Sequence, residues 1–338
     1  MATLSNTALT LIDWAKRRDP DGSVPVIAEL LSQTNEVLED MLIKEGNLPT
    51  GERVVIRTGL PSVYYRMLNQ GIPSSKSTTA TIDEATAMLE ARCETDVDLA
   101  SLNNDKAELL LSEDRAFLEA MNQEQCSALF YGNPQTDPKK YLGLAARYSD
   151  LSAGNATNII DAGGTGSDLA SVYLVCWGSD TAYGIFPKGS NAGLETKDLG
   201  EVTVYDGDNR MQAYARIHKW KHGLVVKDWR YVVRIANIDI SDLQGVTGTQ
   251  ATSSTTQLTR LMNTALYKLP NPNMGKCAFY MNRSVHAGLA NLALEKSNNV
   301  LAIESGLNQF GQPTNWTSFQ GLPLRKVDAL NVSETRVT

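Results

Sequence analysis

The chain has 338 residues, 42% hydrophobic and 20% charged, and a formal net charge of −7. That composition supports a sizeable core and excludes global disorder. The acidic balance argues against a dedicated duplex-DNA binder, which carries a basic face, and no run approaches the ~20 apolar residues of a membrane span, so no membrane partner is expected.

The N-terminal "MATLSNTALTLIDWAKRRDP" is interrupted by Asp13, and its basic residues follow the apolar stretch. A secretion signal has the opposite order, so a cytoplasmic product is expected. Residues 1–48 have the character of an arm, with two amphipathic helical patterns around "RRDPDGSVP". The second places Ile27, Leu30, Leu31, Val37, Leu38, Met41 and Leu42 at helical spacings and ends at Gly46. Residues 49–92 read as a long two-stranded hairpin. "GERVVIRTG" and "LPSVYYRMLNQG" form one side, Gly71 and Pro73 mark the bend, and "IPSSKSTTATIDEATAMLEAR" returns. An isolated hairpin is marginal in water. Exposed Tyr64, Tyr65, Met67 and Leu68 are costly unless something covers them.

A spine helix is predicted next, with Ser112 as N-cap and Glu113 and Asp114 in its first turn. It places Phe117, Ala120, Met121, Ala128 and Tyr131 on one side and stops at Gly132. Its length is roughly 29 Å. Residues 132–170 are turn-rich, "LASVYLVCWG" reads as a buried strand, and "GIFPKGSNAGLETKDLGEV" as a loop. Residues 211–238 form one or two strands, interrupted at Gly223 and at Lys227 and Asp228. "TGTQATSSTT" reads as a linker. Leu258, Leu261, Met262, Ala265, Leu266 and Leu269 then mark a helix ended by Pro270. A strand "GKCAFYMN", a helix capped near Ser284 and a last strand "GLPLRKVDAL" complete an α+β order with no internal repeat.

Chemical motifs are scarce. Gly163, Gly164 and Gly166 have neither phosphate-loop nor dinucleotide spacing, and a strand follows them. No nucleophile signature is present, and nothing suggests a metal or cofactor. Cys93, Cys126, Cys176 and Cys277 lie far apart and are expected free and buried. His286 is expected at a helix surface or cap. In "HKWKH", His218, Trp220 and His222 share one face if the segment is a strand. The two histidines then stand about 13 Å apart, too far for one ion unless the chain bends at Gly223. A sheet face is the stronger reading of 214–222, and base stacking by its lysine–aromatic alternation the weaker.

From "RTGLPSVYYRMLNQGIPSSKSTT" onward the sequence resembles the major capsid proteins of tailed bacteriophages, in a podovirus-like family with the Hong-Kong-97-type capsid fold. The resemblance continues through "MLEARCETDVDLASLN", "LSEDRAFLEAMNQEQCSALFYGN", "YLGLAARYSD", "WGSDTAYGIFPKGSNAGLETKDLGE" and "GLVVKDWRYVVRIANID", covering most of residues 20–330. It implies an N-terminal arm (1–48), an E-loop hairpin (49–92) and a peripheral domain (93–150) with a spine helix at 111–132. An axial domain (151–200 and 246–325), a peripheral sheet (201–245) and a C-terminal segment (326–338) follow.

The function implied is a non-enzymatic, self-assembling subunit of hexamers and pentamers in an icosahedral shell around double-stranded DNA. Tyr64, Tyr65, Met67, Leu68 and Lys76 would be subunit-interface residues. Scaffolding, portal and decoration proteins would be partners, packaged DNA would be touched weakly and non-specifically, and assembly would occur in the bacterial host cytoplasm. The crosslinking activity of some members is not carried over to Lys76. A cytosolic α+β enzyme and a nucleic-acid binder using 214–222 are the alternatives.

Overall fold

The computed structural model describes residues 32–101, 106–206, 209–243, 248–294, 301–307 and 313–338. In chain order these form α1 (Val37–Asp40), β1 (Ile43–Glu45), β2 (Gly51–Gly59), β3 (Thr78–Asp96), α2 (Val97–Ser101), the spine helix α3 (Lys106–Tyr131), α4 (Leu144–Arg147), β4 (Ile159–Asp161), β5 (Leu169–Trp177) and β6 (Ala182–Phe186). Next come β7 (Leu194–Asp206), β8 (Asn209–Val226), β9 (Val232–Asp239), α5 (Ile240–Leu243), α6 (Gly248–Lys268), β10 (Lys276–Met281), α7 (Arg283–Leu294), β11 (Leu301–Leu307), β12 (Pro313–Phe319) and β13 (Leu322–Lys326).

Strand β5 explains the layering. All its residues are buried, because both its faces are covered. Val172, Leu174 and Cys176 point into a core with Leu258, Met262 and Ala265 of α6 and Val285 and Leu289 of α7. The alternate residues Tyr173, Val175 and Trp177 point into a second core with Cys126, Leu129 and Phe130 of the spine helix and Val327, Leu330 and Val337 of the C-terminal segment. A strand buried on two faces reads as a continuous apolar run. Among the described residues the strands join along β11-β12-β13-β10-β5-β6-β8-β3-β2, with β1, β4, β7 and β9 attached to this path.

The C-terminal segment is bound into the second core by a polar clamp. Glu334 accepts hydrogen bonds from Tyr131 (2.5 Å), Ser171 (2.5 Å) and Arg234 (2.7 Å). The Arg234 and Glu334 side chains are each only 5% exposed. Asn237 fixes Val337 at both backbone groups.

Several expectations are corrected. Of the helix drawn through Ile27–Gly46, only Val37–Asp40 is helical among the described residues; Ile27, Leu30 and Leu31 lie outside them, as does the first arm pattern. Ile43–Glu45 is instead a strand parallel to β6, where backbone pairing overrides a short helical pattern. The spine helix starts at Lys106, so Ser112 is internal, and its hydroxyl donates to the Leu109 carbonyl. Ala120 is exposed, while Asp114 and Gln125 are buried. "LETKDLGEV" belongs to β7, paired along β8, and Gly223 lies inside β8 without interrupting it. The segment read as a linker continues into α6 from Gly248. The helix capped near Ser284 is α7, with Asn282 as its cap, accepting from the Ser284 amide.

Candidate interaction surface

Strand β3 plays two parts. Residues Thr78 to Ala85 pair only with β2, and from Thr86 to Asp96 the same strand pairs with β8. The transfer occurs where Ala85 faces Gly51 and Thr86 faces Gly223. Both glycines are needed there: a Cβ on Gly51 would lie 1.9 Å from the Glu84 carbonyl oxygen, and one on Gly223 would lie 2.9 Å from that of Ala85. The hairpin is thus a continuation of the body sheet.

Its base is anchored by charge. Glu52 and Glu84 face each other across the strands, an arrangement that repels unless each carboxylate is engaged. Arg147 donates to both oxygens of Glu84 at 2.6 Å, and also to the Leu142 and Leu224 carbonyls. Tyr183 donates to Glu52 at 2.9 Å, and Lys44 lies 3.4 Å from the same carboxylate. Burial, with Glu52 alongside, pushes the Tyr183 hydroxyl well above its ordinary pKa. Farther out, exposed Arg53 and Asp83 form a two-pronged pair at 2.6 and 2.7 Å. This hydrogen bonding holds the Asp83 carboxyl below its usual range.

The paired ladder ends at Gly59 and Thr78, not near residue 70. Residues 60–77 contain no strand, and the turn centres on Met67–Gln70 with Asn69 at φ 64°, ahead of Gly71 and Pro73. Asparagine tolerates this left-handed conformation. Across the tip, Ser75 donates to the Ser62 carbonyl at 2.7 Å. Pro61 and Pro73 supply no amide for a ladder. Tyr64, Tyr65, Met67, Leu68 and Lys76 are brought together here, all exposed. Tyr65 is 108% exposed and Leu68 91%, and Leu60, Val63 and Ile72, missed by the sequence reading, extend the same apolar surface. Their signal was present as apolar residues flanking "YYRML", but nothing in one chain marks which of them stay uncovered.

Strand β8 carries "HKWKH" against the spine helix. His218 sits 3.2 Å from Asp114 and 3.0 Å from the Thr196 hydroxyl, and stacks on Phe117. Arg216 pairs with the same Asp114. His222 meets Tyr141 and Trp220 edge-on, and burial lowers its pKa to about 4. The unbroken register through Gly223 removes the bend that a shared ion requires, and no metal-holding group occurs among the described residues. His286 is half-buried on α7, with its pKa lowered to about 4 by burial. Lys219 is 3.3 Å from Glu90, and Tyr214 lies under Lys106 of the spine helix, so these two side chains are engaged within the fold. The amides of Gly163 and Gly164 are taken by Asp161 and the Asn237 carbonyl, which leaves that loop a poor phosphate cradle. All four cysteines are buried thiols.

Residues 19–338 match the family model described as Major capsid protein GP7. No curated protein matches the chain significantly. A chain in the cryo-EM structure of bacteriophage Epsilon15 is similar at 28% identity over 100% of both chains, with a TM-score of 0.71. The capsid of bacteriophage JBD30 is similar in fold, at 10% identity and a TM-score of 0.50, over 91% of this chain and 96% of that one. The α+β architecture is accordingly the Hong-Kong-97-type capsid fold.

Proposed function

Since the chain belongs to the major capsid protein GP7 family, we propose that its uncovered hairpin tip is what joins neighbouring subunits of the shell. The protein is a structural, non-enzymatic component of a phage capsid. The observation that carries the proposal is the tip itself: Leu60, Val63, Tyr65, Met67 and Leu68 are largely exposed on one loop. A soluble chain does not leave such a patch bare without use. Covering each of these side chains is worth roughly 1.5–3 kcal/mol before ordering costs.

In this reading the tip lies over the adjacent subunit of the same hexamer or pentamer, and Lys76 meets a carboxylate there. Such a head-to-tail contact closes into a ring when the rotation closes. The rigid base, held by Arg147 and Glu84, limits the directions in which the tip points. Residues 1–48 act as an arm toward another subunit, 49–92 as the hairpin, 93–150 and 201–245 as the peripheral region, 151–200 and 246–325 as the axial region, and 326–338 as the C-terminal segment. The shell encloses double-stranded DNA in weak contact, consistent with a net charge of −7. Assembly proceeds in the host cytoplasm with scaffolding, portal and decoration proteins.

Deleting residues 61–76 joins Leu60 to Ser77 beyond the last ladder pair and leaves the anchored base intact. The variant should remain folded by circular dichroism yet yield no closed shells by electron microscopy when expressed with its neighbouring gene products. Normal shells from a folded variant would overturn the proposal.

A further inference from the structure

Cys176 and Cys277 are direct partners in the antiparallel pairing of β5 with β10. Facing residues in such a pair have Cα atoms about 4.5–5.5 Å apart, inside the roughly 4.4–6.8 Å span a disulfide bridges. Both side chains enter the same core. Both sulfurs converge on one acceptor, the Pro272 carbonyl oxygen, at 3.2 Å from Cys277 and 4.0 Å from Cys176. Contact with Cys277 draws the Cys176 thiol below its ordinary pKa, and that of Cys277 is raised. The pair lies beside the Pro272–Met274 turn, whose residues are exposed. Cys93 and Cys126 have no such arrangement. Burial raises both of their pKa values, that of Cys126 to about 12, and a thiol held protonated is a poor nucleophile.

We propose that Cys176 and Cys277 form a peroxide-sensitive pair that closes to an intrachain disulfide, locking β5 to β10. The Cys176 thiolate attacks one oxygen of hydrogen peroxide. The O–O bond breaks, Cys176 becomes a sulfenic acid, and the departing hydroxide leaves as water after taking a proton. The Cys277 sulfur then attacks the Cys176 sulfur. The S–S bond forms, the S–O bond breaks, and the Cys277 proton leaves with the hydroxyl as a second water. Two thiols are oxidised and one peroxide is reduced to two waters. The bond ties together segments separated by 101 positions, since 277 − 176 = 101. Crosslinks across such long loops constrain the unfolded chain.

The test is direct. Full-length protein purified under reductant is exchanged into hydrogen peroxide, quenched with an alkylating agent and mapped by non-reducing peptide mass spectrometry. The expected result is a peptide linking Cys176 to Cys277, lighter by two hydrogens than the sum of its parts, with Cys93 and Cys126 alkylated. The oxidised protein should also unfold at a higher urea concentration than the reduced one, a shift absent from C277S. Alkylation of all four cysteines after peroxide treatment overturns the proposal, as does a disulfide that includes Cys93 or Cys126. The wild-type map needs no variant to fold.

Discussion

Arg147 grips Glu84 through two hydrogen bonds of 2.6 Å each, and this pair fastens the hairpin to the body of the protein. The side chains are only 13% and 8% exposed. A charge buried this far is costly when its partner is removed. Arg147→Met should therefore lower stability by about 3–5 kcal/mol, measured by urea unfolding. The double variant Arg147→Met, Glu84→Met should recover most of that loss, because no unpaired charge then remains. An unchanged midpoint in Arg147→Met would contradict the anchoring role.

The clamp at Glu334 gives a second case. Glu334→Ala strips Arg234 of its carboxylate and leaves the Ser171 and Tyr131 hydroxyls without their acceptor. The expected cost is again about 3–5 kcal/mol. The C-terminal segment should loosen first, which hydrogen exchange at the Val337 amide, now bonded to Asn237, would register as faster exchange.

Acid should weaken the fold through His222. Burial lowers its pKa from 6.5 to about 4, so the folded state resists the proton that the unfolded chain accepts. Above pH 6.5 neither state is protonated and the effect is absent. As pH falls from 6.5 toward about 4, stability is lost; below that both states are protonated and the loss levels off. The size is on the order of a few kcal/mol. His222→Phe should show a shallower decline across that window in urea midpoints taken at successive pH values. Equal slopes in variant and parent would rule this out.

At the hairpin tip the expectation is reversed. Tyr65→Ser and Leu68→Ser remove side chains that touch little within the chain, so the folded subunit should change by under about 0.5 kcal/mol. Assembly should suffer, read as a higher protein concentration needed for shells in light scattering. A loss of subunit stability with normal assembly would mean the tip packs internally.

Periodicity made the interior legible. The apolar run Leu169–Trp177 announced a strand covered on both faces, and Leu258, Met262 and Ala265 announced the buried stripe of α6. "HKWKH" is a strand face, as its alternation implies, with His218 packed on Asp114 and Phe117. Elements defined by distant partners were not legible. β7 carries Gly200 and mixed charges, reads locally as a loop, and becomes a strand only because β8 lies beside it. Ile43–Glu45 continues a helical pattern but is claimed by β6. Ser112 has the chemistry of a cap, yet helix-favouring residues precede it from Lys106. At the candidate surface the exposed aromatic cluster was visible in sequence. Its anchor was not, because Glu84 and Arg147 are 63 positions apart with no local signal joining them.

In the proposed shell, residues 60–77 lie on a neighbouring copy. A cryo-EM reconstruction of shells assembled from this chain tests it most directly. The expected result is density for Tyr65, Met67 and Leu68 buried against the adjacent subunit of the same capsomer. Density showing the tip folded back on its own subunit, or projecting into solvent with those side chains bare, would contradict it.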